Sequence, residues 1–332
     1  MAAALIAIAA IPALPVLAAS SLAGPAFADN APPSPTGAEK KPPRHTLAVG
    51  PTRALRTPTA AAAVAHDGDR ITIDPGTYDG CAVWRQSNLL IEGVGGRPQL
   101  KGKLCEDQAI WLIRGNQIVV ANVEFSDAHS TSNNGAGIKF TGRSLTVRRS
   151  VFIHNENGIL VGPNPKSHVR IVDSEFRLNG KCRPDCAHGI YISRVASLTV
   201  TSSKFENQLE GHHIKSRAAL TELIGNRIED GLDGTASMSV DLPNGGTAVI
   251  RSNYFQKGPR AESRMTFISI GEEGATNPSK GVLITQNSFL CSNPHIDSFV
   301  WNRSPQHAVL LKGNRFLGSK ALRLKGPGQV QP

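Results

Sequence analysis

At 332 residues the chain has room for one large domain or two ordinary ones. Aromatic residues make up only 5% and glycines number 32, which suits narrow coils and tight turns better than one bulky core. Lys and Arg number 36 against 26 acids, a net charge of +10, which favours acidic partners over basic ones. No phosphate-cradling loop, dinucleotide fingerprint or nucleophile elbow occurs in the sequence, so the chemistries built on those motifs have no address.

Residues 1–28 read as a secretory signal: an apolar stretch, ALIAIAAIPALPVLAAS, ends near Ala26-Phe27-Ala28, a small-residue cleavage pattern. Pro12 and Pro15 disfavour a stable spanning helix. The first charged residue is Asp29, so cleavage leaves the basicity intact. Residues 29–64 open with NAPPSPTGAEKKPPRH and are expected to form a Pro-rich flexible linker. The mature protein is expected to be secreted or periplasmic, monomeric and without an integral membrane segment.

From residue 65 to residue 320 one short theme recurs. An alternating apolar run is followed by a small polar pair and then a large apolar residue, as in SLTVRRSVF (144–152), HVRIVDSEF (168–176), SLTVTSSKF (197–205), TAVIRSNYF (247–255) and GVLITQNSF (281–289). The closing residues Phe125, Phe152, Phe176, Phe205, Ile228, Phe255, Phe289 and Phe316 are 27, 24, 29, 23, 27, 34 and 27 residues apart. Such a period marks a stacked-repeat architecture. Alternation with period two makes the unit a strand, and one short strand cannot bury its apolar face unless copies stack. The predicted fold is all-β, a right-handed parallel β-helix of the pectate-lyase type. Residues 321–332 are left as a C-terminal tail. DGDRITIDPGTYDG (67–80) resembles the first coil of many right-handed β-helix proteins.

A second strand per coil lies between the themes: GIKF (137–140), GILVG (158–162), GIYIS (189–193), HHIKS (212–216), SMSVD (237–241) and FISIG (267–271). Alternation along each strand directs Ile190, Ile192, Ile214, Met238, Val240, Ile268 and Ile270 inward. It gives two outward columns, one of Gly162, Ser193, Lys215, Asp241 and Gly271, the other of Tyr191, His213, Ser239 and Ser269. A third strand should complete the coil, but the sequence marks it poorly.

Five cysteines fit an oxidising compartment. Cys81 and Cys105 lie about one coil apart and Cys182 and Cys186 share the insertion KCRPDCAH, so both pairs are expected as disulfides, with Cys291 left over.

The segment EGHHIKSRA (210–218) gathers Glu210, His212, His213, Lys215 and Arg217 in nine residues. A solvated strand face with a salt bridge to Asp241 is the plain reading. Flanking small residues would instead leave a groove, with Lys215, His213, Asp241 and Tyr191 as catalytic candidates and Arg217, His212, Glu210 and Arg251 as substrate contacts. Glu272 and Glu273 in GEEGATNP are candidate oxygen ligands for calcium, the one cofactor considered. Asp230 and Asp233, with Asp241, are the carboxylates available to a hydrolase, which needs two flanking one bond. Arg143, Arg148, Arg149 and Arg170 suggest a track for a polyanion.

EGHHIKS resembles the E-x-x-x-x-K-S stretch of the β-helical polysaccharide lyases that include alginate lyases and chondroitinase B. The resemblance implies that Lys215 is a general base removing the proton α to a uronate carboxylate, with that carboxylate neutralised, commonly by calcium. The family's Arg one coil later is replaced here by Asp241. Similar coils occur in mannuronan C5-epimerases, which make the same abstraction and reprotonate the opposite face. The expected partner is therefore an acidic polysaccharide and not nucleic acid. The alternatives are a non-catalytic polysaccharide-binding or structural β-helix, and a glycoside hydrolase.

Overall fold

The computed structural model describes residues 45–183 and 185–332. The signal segment 1–28 and the first part of the linker lie outside them. Three parallel sheets, of 12, 10 and 10 strands, follow one another around each coil. The chain is a right-handed parallel β-helix, the hand that parallel crossovers take.

The themes form the first sheet, with Leu145 opposite Val169 and Val169 opposite Leu198. The strand the sequence marked poorly is the third sheet, and it carries the closing Phe residues. Phe125, Phe152, Phe176 and Phe205 stack with centroids 5.0, 4.8 and 4.7 Å apart and planes within 7°. Each is buried, and full burial of such a side chain stabilises by about 1.5–3 kcal/mol. The small polar pair before each Phe makes the corner. Its first member takes a left-handed backbone in Arg149, Asp173, Ser202 and Ser252. Its second member is buried and bonds coil to coil: Nδ2 of Asn226 donates to Asn253 Oδ1 at 3.0 Å, and Nδ2 of Asn253 to Asn287 Oδ1 at 3.0 Å. Those ladders pair polar groups that burial would otherwise leave unsatisfied.

The second sheet holds the strands between themes. The residues predicted inward, from Ile190 to Ile270, are all buried. Glycine stands at the entry to three of these strands, where a Cβ would crowd the next coil: at Gly137 and Gly158 it would stand 2.8 Å from Phe152 Cδ1 and Phe176 Cδ1, and at Gly189 2.5 Å from His213 O. Both predicted disulfides are present, Cys81–Cys105 and Cys182–Cys186, and Cys291 is free and buried.

Two boundaries need correction. The linker expected over 29–64 does not extend through its described part. Thr46–Val49 pairs with Arg70–Ile73 as the first rung. Pro58–Val64 is a helix capped by Thr57, whose side chain accepts from Ala60 N–H at 3.2 Å, with Ala61 and Ala62 buried. The tail expected over 321–332 is also built into the coil, since Leu322–Lys325 and Gln329–Gln331 extend two sheets. No helix among the described residues is long and apolar enough to cross a membrane.

Candidate functional site

On the outer face of the second sheet, register aligns Leu160, Tyr191, Lys215, Asp241, Ser269 and Trp301 in one column. Lys215 and Asp241 are adjacent as predicted, but their companions differ. Tyr191 and Ser269 share their column, and Gly162, Ser193 and Gly271 do not.

His213 requires a correction. It does not face the groove: it is wholly buried, its Nε2 lies 2.8 Å from Asp230 Oδ1, and its ring meets Phe205 edge-on at 6.4 Å. The strand begins at Ile214, so alternation does not reach back across the corner. His213 instead occupies the inward position that Gly189 fills one coil earlier, its carbonyl accepting from Ile190 N–H at 3.0 Å. Asp230 is likewise interior, beside the buried Lys257 Nζ at 3.9 Å. Asp233 is 81% exposed and paired with Arg260. Neither Asp230, inside the coil, nor Asp233, out in solvent on Arg260, belongs to the outward column that carries Asp241.

Asp241 is 1% exposed. Its Oδ2 lies 3.4 Å from Lys215 Nζ and 3.7 Å from His212 Nε2, while its Oδ1 has no partner. Burial pushes its pKa up to about 6, against the pull of Lys215 and with help from the nearby charge of Glu272. His212 Nδ1 accepts from Met238 N–H at 3.3 Å, which leaves Nε2 as the protonated nitrogen facing Asp241. Its ring stacks on His188 at 4.8 Å. Burial, with Lys215 adding, holds His212 down to about 3, and His188 is lowered for the same first reason.

Arg217 lies on the same side. Its Nε donates to Tyr191 Oη at 3.0 Å and its Nη1 to Asn244 Oδ1 at 2.9 Å. Both terminal nitrogens hold Glu273, with Nη2 2.9 Å from Oε1, and Lys215 Nζ adds a contact to the same oxygen at 3.3 Å. The Arg217 guanidinium holds the Glu273 carboxyl below its ordinary range. Glu272 is engaged by Arg303 Nη1 at 3.4 Å and Ser269 Oγ at 3.4 Å. The two glutamates expected as calcium ligands are thus spent on cations and a hydroxyl.

Two predicted contacts fall elsewhere. Glu210 accepts from Cys182 N–H at 2.7 Å and secures the disulfide hairpin. Arg251 is exposed on the first sheet, within Thr247–Arg251, as is Arg170 on an earlier strand of that sheet, while Arg148 there is half-buried. Sequence reasoning missed Asn244 and the seating of Glu273, both contributed by loops that follow later strands.

A family model described as "Periplasmic copper-binding protein (NosD)" matches residues 63–318. No curated protein matches the chain in sequence. Among solved structures, the pectate lyase Pel9A is similar with a TM-score of 0.61 at 13% identity, over 86% of this chain and 80% of that one. An alginate lyase from Paenibacillus sp. str. FPU-7 is similar with a TM-score of 0.51 at 15% identity, over 86% and 99%. Geobacillus virus E2 ORF18 gives 0.55 at 14%, over 82% and 56%. At such identities the likeness is one of fold.

Proposed function

We propose that this chain, which belongs to the family described as periplasmic copper-binding protein (NosD), acts outside the cytoplasm on a uronate-containing polysaccharide by C5 proton abstraction, as lyase or C5-epimerase. The observation that carries this reading is a carboxylate already seated between Arg217 and Lys215, that of Glu273. A planar guanidinium with an ammonium beside it is the donor set a uronate carboxylate needs. Glu273 is 42% exposed in its side chain, so a substrate carboxylate can take its place.

With the substrate carboxylate on Arg217, the C5 proton becomes acidic enough to abstract. Lys215 passes its proton to Asp241 Oδ2 and accepts the C5 proton. The electron pair left at C5 delocalises into the carboxylate held by Arg217. In a lyase the C4–O bond then breaks and Tyr191 gives its proton to the leaving oxygen. In an epimerase Tyr191 protonates C5 from the other face.

The test is incubation with a panel of polyuronates, following ultraviolet absorbance of unsaturated uronates and the proton NMR of C5 epimers. Either product supports the reading. Retention of a polyuronate without turnover would make the groove a binding site only, and neither retention nor turnover would end the reading.

A second reading takes copper binding from the family's description. It is favoured by two groups of imidazole and carboxylate donors among the described residues, His45 with His66 and Asp69, and Asp127 with His129 and His154.

A further inference from the structure

Of the two donor groups, the first is committed to structure. Asp69 is wholly buried and accepts from His66 N–H at 2.7 Å, fastening the opening coil. The second sits where the coils end their third-sheet strands. Ser126 pairs with Ile153, so the next residues, Asp127 and His154, stand one above the other. Both turn into the left-handed backbone, with φ of 59° and 57°, and the ladder continues through them, His154 N–H donating to Arg177 O at 3.1 Å. His154 Nδ1 comes within 2.6 Å of Asp127 Oδ1. His129, two residues past Asp127, meets the His154 ring edge-on at 5.2 Å.

One donor atom from each of the three lies within 4.8 Å of the other two. Behind them Glu156, 4% exposed, points Oε1 at His129 Nδ1 from 3.9 Å. Its Oε2 is fixed by Ser130 N–H at 3.1 Å and Ser130 Oγ at 3.2 Å. A pocket of about 350 Å³ opens over His129, His154 and Glu156, which leaves room for a further ligand. Lys101 Nζ, 3.4 Å from Asp127 Oδ2, belongs to an exposed side chain that is free to swing aside.

We infer that Asp127, His129 and His154 form a binding site for a divalent transition metal, Cu(II) foremost, with Glu156 as a carboxylate held in reserve. Two imidazoles and a carboxylate are the donor set such ions prefer, and Cu(II) heads the affinity order for it. The pocket lining includes no Cys or Met, the sulfur donors that would favour Cu(I). The choice of copper rests on the second reading above; the site itself rests on the donor geometry.

The test uses the full chain, stripped of metal and titrated with Cu(II), with affinity read by calorimetry and ligation by electron paramagnetic resonance. One equivalent should bind with nitrogen coupling from two imidazoles. His129→Ala and His154→Ala should each weaken binding by at least ~100-fold, beyond the 10–100-fold typical of losing an outer-sphere partner, and the double variant should not bind. All three variants alter exposed side chains, so unchanged circular dichroism serves as the check on folding. If the full chain takes up no copper, the site and the copper reading both fall. If copper binds but the double variant retains it, or no nitrogen coupling appears, the site is wrong while copper binding by the chain stands.

Discussion

Glu273 reaches back two coils to lay its carboxylate against the guanidinium of Arg217, with Lys215 sharing one of its oxygens. The acid therefore occupies the place a substrate acid would take. Removing its charge should vacate the seat. Hydrogen bonds to charged groups contribute about 1.5–3 kcal/mol, so Glu273→Gln should tighten polyuronate binding roughly tenfold. Calorimetry with a polyuronate oligomer checks this. An unchanged or weakened affinity would mean that Glu273 contacts the substrate instead of standing in for it.

Asp241 and His212 should give the fold opposing responses to pH. Asp241 holds its proton to about pH 6 when folded, because burial penalises the anion; an unfolded Asp releases near ~4. Between these values the folded state binds more protons, so this residue's contribution falls as pH rises, by roughly 3 kcal/mol over the window. His212 is held to about 3 when folded, again by burial first, against ~6.5 unfolded. Over that window the unfolded state binds more protons, so its contribution falls as pH drops. Asp241→Asn should gain on the wild type as pH rises from 4 to 7.5. His212→Gln should gain as pH falls from 7.5 to 4. Urea unfolding at three pH values separates the two, and slopes of the same sign in both variants would refute the assignment.

The coil architecture was legible because Phe is scarce and recurs at coil spacing, and because each copy alternates. The site was half legible. Lys215 and Asp241 follow from any sound alignment of the strands, since both sit next to an inward Ile or Val. His213 was misplaced because alternation was carried past the start of its strand. Aligning the strand openings would have put His213 one coil after Gly189, at the crowded inward corner, where Gly189 Cβ would meet His213 O at 2.5 Å. The Glu273 seat was illegible, since 56 residues separate it from Arg217. The metal donors were legible in principle. Asp127 and His154 are each the second residue past a closing apolar residue of the repeat, as are Asp230, Lys257 and Cys291. The capping helix was missed although Thr57-Pro58 ahead of an alanine run is a helix start.

Asp230 and Lys257, stacked in that same column, are both wholly buried and 3.9 Å apart. Burial would raise the Asp230 carboxyl, but the charge of Lys257 and the bond from His213 outweigh it, and the pKa lies below the ordinary value. Lys257 Nζ also donates to Ser237 O at 2.7 Å. Removing one partner strands the other charge, at about 3–5 kcal/mol. Lys257→Met should therefore destabilise by that order, and adding Asp230→Asn should recover part of the loss. Urea midpoints decide it; a single variant within about 1 kcal/mol of the wild type would show the pair to be dispensable.

The Lys215 side chain faces outward, 14% exposed, between Asp241 and Glu273. Its truncation removes no inward packing, because the neighbouring Ile214 and Ser216 are the residues that fill the interior. Lys215→Ala should keep the circular dichroism of the fold and lower the unfolding midpoint only by what it costs to leave the buried Asp241 carboxyl without its cation. If Lys215 is the base in C5 abstraction, the same change should cut kcat by at least the ~10²-fold of a lost positioned acid–base group. Lys215→Arg separates the two roles of a cation here. A guanidinium keeps the charge that holds a carboxylate but cannot give up its proton at neutral pH. Base catalysis therefore predicts an Arg variant with near-normal polyuronate affinity and the Ala variant's loss of turnover. If Lys215→Arg instead restores turnover, the residue serves only to bind the carboxylate, and the base must be sought at Tyr191 or Asp241.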